Sequence, residues 1–155
     1  MDFVQLDDLD RRILNALQED AGRPAAEIAR LVGLSASPCW RRIKRLEDEG
    51  VILRRVAIID QQRLGLDLTA FAHISLASHE RDDIARFHER IQAAPEVVSC
   101  YAVTGNVDFI IKVVVRDIRA YDEFLTKRLL DTALIRSVNT TFALRTVKTT
   151  TALHV

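Results

Sequence analysis

The second half of the chain alternates strand-like and helix-like stretches, and their order restricts the fold more than any other feature of the sequence. Beyond about Gly65 the apolar pattern switches between a period of two residues and a helical period. The successive stretches are LDLTAFAHISL (strand), ERDDIARFHERIQAA (helix), EVVSCYAVTG and VDFIIKVVV (strands), DIRAYDEFLTKRLL (helix) and IRSVNTTFALRTV (strand). This βαββαβ order predicts a ferredoxin-like α+β sandwich, in which both helices cover one face of an antiparallel sheet.

The N-terminal part of the chain predicts three helices. The stretch LDDLDRRILNALQED repeats apolar residues at helical spacing and has acidic residues in its first turn, where the helix dipole favours them. Gly22 ends this helix, and Pro24 suits the opening of a short second helix, PAAEIARLV. Gly33 supplies a left-handed turn, after which a third helix extends to about Glu49. Two helices joined by a tight turn form the helix-turn-helix pattern, so the third helix is the candidate recognition helix.

The ends of the third helix have residues typical of helix boundaries. Ser35 or Ser37 serves as the N-cap, and Pro38 lies in the first turn, where its missing N–H removes no helical hydrogen bond. Gly50 is the expected C-cap. The following stretch, VILRRVAIID, is rich in β-branched residues and predicts a strand that leaves the helical region.

The third helix has an apolar face and a basic face. Because each residue advances by about 100°, Cys39, Ile43 and Leu46 converge on one buried stripe. Trp40 lies beside this stripe, and a large aromatic side chain there is interpreted as packing rather than as a stacking platform. The opposite side carries Ser37, Arg41, Lys44 and Arg45. The helix is therefore expected to present its cations away from the hydrophobic interior.

The basic face of the third helix predicts DNA binding. Residues near the start of a recognition helix reach base edges, and arginine can donate two hydrogen bonds to guanine. A solvated charged surface is the alternative interpretation, but the helix-turn-helix context favours DNA. Arg42, Arg54 and Arg55 are expected to bind phosphates, which adds salt-sensitive affinity without sequence preference. The full predicted DNA-binding set is Ser35, Ser37, Arg41, Arg42, Lys44, Arg45, Arg54 and Arg55.

Composition and charge limit where this affinity can come from. The 155 residues include 22 basic and 22 acidic side chains, so no overall field attracts nucleic acid. Hydrophobic residues make up 48% of the chain, enough to form real cores. The change of pattern around DQQRLG predicts two small domains, residues 1–63 and 64–155. DNA affinity must therefore arise from the local basic face.

Several classes of function are disfavoured by the sequence. Cys39 and Cys100 lie far apart without a CxxC motif, and the four histidines lack ligand spacing, so neither a disulfide scaffold nor a metal site is expected. No nucleophile with an adjacent base, carboxylate pair or phosphate-binding loop occurs, so the chain is expected to be neither an enzyme nor a cofactor protein. The sequence shows no signal peptide and no long apolar run, which predicts a cytoplasmic location and no membrane partner.

Three fragments together resemble the Lrp/AsnC, or feast/famine, family of transcription factors. They are LDDLDRRILNALQED, EIARLVGLSASPCWRRIKRLEDEGVI and VTGNVDFIIKV, and their order and spacing cover nearly the whole chain. The resemblance implies an N-terminal winged helix-turn-helix, a β connection and a C-terminal ferredoxin-like domain that dimerises, often assembles to octamers and binds amino acids. One departure is Pro24, which stands where many relatives place a Ser or Thr N-cap before the second helix.

The resemblance also implies an effector site around VTGNVDF. A zwitterionic amino acid needs donors for its carboxylate and an acceptor for its ammonium group. Backbone near Thr104 and Gly105 would approach the ligand, and Asp108 would pair with its ammonium; taken alone, TGNVD is an ordinary hairpin turn. In the family this pocket lies between dimers, so Asn139, Thr140 and Thr141 of the last strand are expected to line it as well.

The expected effector is cysteine or a leucine-like amino acid. The stretches SPCWRRIKRLEDEG and LGLDLTAF resemble a subgroup that contains regulators responsive to cysteine. The sequence thus predicts a sequence-specific transcriptional regulator that forms a homodimer, tetramer or octamer, binds double-stranded DNA and changes its assembly with a small amino acid. The alternative is an architectural DNA-compacting protein without an effector.

Overall fold

The computed structural model describes residues 3–130 and 133–155. It divides into two compact units, the first formed by Met1–Ile58 together with Lys148–Val155 and the second by Ile59–Val147. Each unit has its own hydrophobic core. The boundary at residue 63 stays a prediction of domain organisation.

Three helices form the first unit, as predicted: α1 (Asp8–Glu19), α2 (Ala25–Val32) and α3 (Ala36–Asp48). A reciprocal capping box starts α1, since the side chain of Asp7 accepts from the N–H of Asp10 and the side chain of Asp10 accepts from the N–H of Asp7. Pro24 lies at the N-cap position of α2 without a side-chain cap, and Gly33 ends this helix at a φ of +77°. The predicted tight turn between α2 and α3 is therefore present.

The core of the first unit confirms the predicted apolar stripe of α3. Cys39 and Leu46 are fully buried and pack with Ile13 of α1 and Ile28 of α2. Val155 packs against the same core. The C-terminal segment is also tied to α1, because the side-chain amide of Gln18 donates to the carbonyl of Leu153 at 3.0 Å and accepts from its N–H at 2.6 Å.

Two expectations for this region are wrong. The stretch after α3 forms no strand, and residues 53–60 have no regular secondary structure, because a strand requires a neighbouring backbone with which to pair. Its apolar side chains, including Leu53 and Ile58, are instead exposed. Trp40 is 57% exposed rather than packed, because it lies at the solvent edge of the α3 stripe.

The second unit confirms the predicted βαββαβ order. Its elements are β1 (Leu68–Leu76), α4 (Arg81–Gln92), β2 (Val97–Ala102), β3 (Phe109–Val115), α5 (Ile118–Phe124) and β4 (Ile135–Phe142), with a 3-10 turn at Gln62–Leu64. The strand order is β2-β3-β1-β4, and all neighbouring strands are antiparallel. A π-helical stretch, Leu125–Leu130, continues α5.

The two faces of this sheet differ. Ala72 and Ile74 of β1 face a core that also contains Phe87 of α4 and Phe124 of α5. The ring of Phe87 packs against that of Phe109, with centroids 4.5 Å apart. Alternate strand residues point to the opposite face, where the aromatic ring of Phe71 is partly exposed. The register of the sheet therefore decides which strand residues any ligand could reach.

Candidate DNA-binding surface and effector site

Polar residues of α3 lie on the face opposite its buried stripe. Ser37, Arg41 and Lys44 are exposed, and Ser35 occupies the N-cap position without using its hydroxyl as a cap. The Nζ of Lys44 lies 2.8 Å from a carboxylate oxygen of Asp48, which raises the pKa of Lys44. Arg41 forms no hydrogen bond or ion pair with any residue that the structure describes. Its guanidinium is thus available to an external partner.

Arg42 and Arg45, two other members of the predicted DNA-binding set, are held by acidic residues at the start of α1. Arg42 Nη1 donates to Asp7 Oδ2 at 2.7 Å and to Asp10 Oδ1 at 2.8 Å. Arg45 Nη2 donates to Asp10 Oδ2 at 2.5 Å. The structure therefore separates the arginines of α3 into Arg41, which has no partner among the described residues, and an anchored pair.

Neighbouring groups favour the charged forms of Asp7 and Arg42. The pKa of Asp7 is lowered, first by the hydrogen bond from the N–H of Asp10 and then by that from Arg42. The pKa of Arg42 is raised, first by its hydrogen bond to Asp10. Glu49 adds a longer ion pair, 3.8 Å from Nε of Arg45. Both arginines are thus balanced locally by carboxylates.

Asp10 is a residue whose importance the sequence analysis missed. Its side chain is only 1% exposed, although it was counted among the acidic residues that favour the first helical turn. The spacing of the sequence could have revealed its burial. Asp10 lies three, four and seven residues before the buried Ile13, Leu14 and Leu17, and this spacing puts it on the apolar face of α1. A carboxylate on the apolar face of a helix requires cationic partners, and α3 supplies them.

The other predicted phosphate-binding residues lie just beyond α3. Arg54 is exposed and makes no contact of these kinds with the described residues. Arg55 Nη2 lies 3.0 Å from Glu47 Oε1, which ties the start of the connecting segment to α3. Trp40 stands beside Lys44 and Arg55 at a shallow surface groove. Exposed cations thus extend from α3 into the following segment.

The turn between β2 and β3 holds the predicted effector residues Thr104, Gly105 and Asp108. Gly105 has a φ of +119°, a conformation that residues with a side chain rarely adopt, so glycine is required here. The N–H of Val103 donates to the carbonyl of Asp108 at 3.0 Å and closes the turn. Thr104 and Gly105 are exposed. The turn therefore presents accessible backbone groups beside one acidic residue.

The carboxylate of Asp108 is docked at the end of β1. Oδ2 accepts from the N–H of Leu76 at 2.7 Å, and Oδ1 lies 2.8 Å from Nε2 of His79. These bonds lower the pKa of Asp108, with the contact to His79 first, the N–H of Leu76 second and a smaller contribution from the charge of Arg136. His79 and Arg136 were missed by the sequence analysis, because only the pairing of distant strands brings them to this turn.

The structure does not bring all six predicted effector residues to one place. Thr140 is paired with Ala72 on the helix-covered face, where its hydroxyl is 2.6 Å from that of Tyr121. Asn139 and Thr141 pair with His73 and Phe71, on the opposite face. Three consecutive strand residues alternate between faces. The last strand can therefore offer Asn139 and Thr141 to one ligand, but not Thr140 together with them.

Two further properties concern only residues 3–130 and 133–155. Within these ranges, none of the helices is long and apolar enough to cross a membrane. The same residues contain no cluster of three or more His, Cys, Asp or Glu side chains that could hold a metal ion. Cys39 and Cys100 are free thiols whose burial raises the pKa of each.

A helix-turn-helix unit with an exposed arginine on its third helix, followed along the chain by a ferredoxin-like unit, is the architecture of a two-domain DNA-binding protein. Residues 6–52 match the model described as winged helix-turn-helix DNA-binding, and residues 69–153 match the Lrp/AsnC ligand binding domain. The chain belongs to the Lrp/AsnC family and is an effector-responsive, DNA-binding transcriptional regulator. The fold class and the family resemblance are both confirmed.

Relatives match over almost the full chain. The crystal structure of an AsnC family transcriptional regulator from Agrobacterium tumefaciens is 44% identical, covers 96% of this chain and 97% of its own, and has a TM-score of 0.92. The regulator NMB0573 from Neisseria meningitidis, solved as an L-Met complex, is 33% identical with a TM-score of 0.93 and 97% coverage of both chains. The DNA-binding transcriptional activator DecR of Escherichia coli is 35% identical over 150 residues, 97% of this chain and 99% of its own. These relatives are regulators rather than enzymes.

Proposed function

We propose that this protein is a homo-oligomeric regulator that reads DNA with the exposed face of α3 and senses a small amino acid beside Asp108. The observation that carries the proposal is Arg41, exposed on the recognition helix and without an internal partner among the described residues. Ser37 and Lys44 share its face and are also exposed. Since DNA is the partner, the protein is placed in the cytoplasm.

The DNA-binding proposal divides the basic residues by role. Arg41 contacts base edges, because a guanidinium at this position can donate two hydrogen bonds to guanine in the major groove. Arg54 and Arg55 bind phosphates and supply salt-sensitive affinity. Each guanidinium has five N–H donors, so Arg42 and Arg45 keep donors for DNA while bound to carboxylates. Ser35, Ser37 and Lys44 complete the proposed surface.

Exposed apolar side chains support self-association. Tyr101 is exposed and Phe71 partly exposed on the sheet, and Leu53 and Ile58 are exposed in the segment after α3. Aromatic and aliphatic groups of this kind are commonly covered in homo-oligomers. A symmetric dimer would present two recognition helices to two half-sites separated by about one turn of DNA or a multiple of it.

Selection from a random duplex library tests this part of the proposal. Wild-type protein is expected to enrich a near-palindromic site, and footprinting should show two protected half-sites in register with the helical repeat. Analytical ultracentrifugation should show a dimer or a larger assembly. Enrichment of a single half-site by a monomer would contradict the proposal.

The effector proposal places the ligand at the β2–β3 turn. The backbone at Gly105 would donate to the ligand carboxylate, and the negative charge of Asp108 would hold the ammonium group. The L-Met complex of the neisserial relative supports an amino acid as the effector class. Cysteine and leucine-like amino acids are the first candidates. Asn139 and Thr141 are kept in the proposed site. Thr140 can take part only if its hydroxyl gives up the hydrogen bond to Tyr121 and binds the ligand instead.

Asp108→Asn is expected to abolish stabilisation by the effector. At about 100 times its Kd, a ligand should stabilise the wild-type protein by about 2.7 kcal/mol, visible in a thermal-shift screen of the proteinogenic amino acids. Asparagine can still accept from the N–H of Leu76, but it lacks the charge that pairs with ammonium. Asp67→Asn is the matched control, because Asp67 is an exposed carboxylate of the same unit.

Two outcomes would contradict the effector proposal. An unchanged ligand shift in Asp108→Asn would place the amino acid elsewhere. The absence of heat in calorimetry with every amino acid would instead favour an architectural DNA-compacting role, since such a protein has no effector to bind.

A further inference from the structure

A buried carboxylate joins the first helix to the recognition helix. Asp10 of α1 accepts from Arg42 through Oδ1 at 2.8 Å and from Arg45 through Oδ2 at 2.5 Å. The side chain of Asp10 is 1% exposed, whereas those of Arg42 and Arg45 are 28% and 43% exposed. Each oxygen of one inaccessible carboxylate thus holds a different arginine that is itself partly exposed.

The chemistry of this arrangement differs from that of a surface ion pair. Exposed pairs are weak and change partners easily, but removing one member of a buried pair leaves a charge without compensation. A planar guanidinium bound to a fixed carboxylate also has a defined orientation. Asp10 is itself fixed, because its side chain accepts from the N–H of Asp7 in the capping box. One nitrogen of each guanidinium is thereby held by α1.

We propose that Asp10 is a specificity-determining positioning residue. It directs the free donors of Arg42 and Arg45 along one side of α3. It also prevents the two guanidiniums from binding phosphates in other orientations. Arg41, which has no such anchor among the described residues, keeps the freedom to fit a base edge. Discrimination between a preferred site and other DNA then depends on a residue that touches no DNA. This inference rests on the proposed use of α3 for DNA recognition.

The inference predicts opposite effects on specific and non-specific binding. Asp10→Asn keeps the size and one accepting oxygen but removes the charge, so Arg45 loses its closest carboxylate partner and Arg42 keeps only Asp7. Affinity for scrambled DNA should rise several-fold, and the slope of log K against log salt should steepen by about 0.9 for each released arginine that gains a phosphate. The ratio of specific to non-specific affinity should fall at least about tenfold, because misaligned arginines no longer meet the bases and phosphates of the preferred site.

Asp8→Asn is the matched control. It makes the same change of charge on the first turn of α1, but Asp8 is exposed and contacts neither arginine. Both variants and the wild-type protein would be titrated by fluorescence anisotropy against the selected site and a scrambled duplex at several salt concentrations. Asp8→Asn should change both affinities by the same small factor and leave the ratio intact.

Arg45→Lys keeps the test decisive even if Asp10→Asn folds poorly. Lysine retains the charge and can pair with Asp10, but it lacks the planar group that lets Arg45 face Asp10 through Nη2 and Glu49 through Nε. Its discrimination ratio should fall while the salt slope stays that of the wild type. Circular dichroism at the temperature of the titrations would verify the helices of each variant.

The outcomes separate the inference from the proposed function. If the wild-type protein shows no preference for any duplex, the proposed recognition by α3 fails. If the wild-type protein discriminates and Asp10→Asn lowers specific and non-specific affinity in equal proportion, Asp10 only supports the fold and the inference is overturned. An unchanged ratio in both Asp10→Asn and Arg45→Lys would overturn it as well.

Discussion

Leu46→Ala is expected to destabilise the first unit by about 2 to 5 kcal/mol, although it leaves every exposed residue of α3 in place. Leu46 is fully buried and packs with residues from α1 and α2, so truncation leaves a cavity in a small core. Chemical denaturation followed by the fluorescence of Trp40, the single tryptophan, reports on this unit because Trp40 lies on the same helix.

Lys44→Ala is the control for Leu46→Ala. Lys44 lies two residues earlier on the exposed face, and its removal deletes only the surface pair with Asp48, which contributes little to stability. If the two substitutions destabilise the unit equally, α3 packs through a different face and the assignment of its DNA-binding surface fails with it.

Arg41→Ala is expected to weaken binding to the selected site by about 10- to 100-fold, the loss of one arginine contact to a base pair of about 1 to 3 kcal/mol. Stability should change by less than about 0.5 kcal/mol, because Arg41 is exposed and has no partner among the described residues. Fluorescence anisotropy on the selected site, at fixed salt, measures the affinity, and thermal unfolding measures the stability.

Arg11→Ala separates a base contact from a general loss of charge. Arg11 is exposed on α1, so the variant loses the same charge without touching α3. It should retain nearly wild-type preference for the selected site. An equal loss of affinity for the selected site in Arg41→Ala and Arg11→Ala would show that Arg41 contributes only electrostatic attraction. The exposure of Arg41 would then no longer support the proposed DNA recognition.

Periodic patterns explain why most of the fold was predictable. The helices and the βαββαβ order follow from apolar spacing, which is local along the chain, and the buried stripe of Cys39, Ile43 and Leu46 follows from the same rule. The strand predicted after α3 shows the limit of this approach. Its β-branched residues favour extended backbone, but a strand also needs a hydrogen-bonding partner, and the described chain supplies none to residues 53–60.

The candidate sites depended on contacts that a linear pattern does not contain. Gly105 was predictable, because a tight turn requires a residue without a side chain. His79 lies 29 positions before Asp108, and Arg45 lies 35 after Asp10, so only the folded chain brings these charges together. Thr140 is a different case, since the two-residue period of a strand already separates it from its neighbours Asn139 and Thr141.

Because residues Lys148–Val155 belong to the first unit, that unit joins two segments that lie far apart along the chain. The three helices have mainly local contacts, which form quickly during folding. The hydrogen bonds between Gln18 and Leu153, 135 positions later, can form only after the whole sheet has been translated. The first unit is therefore expected to form in two stages, with its C-terminal segment added after the three helices have packed.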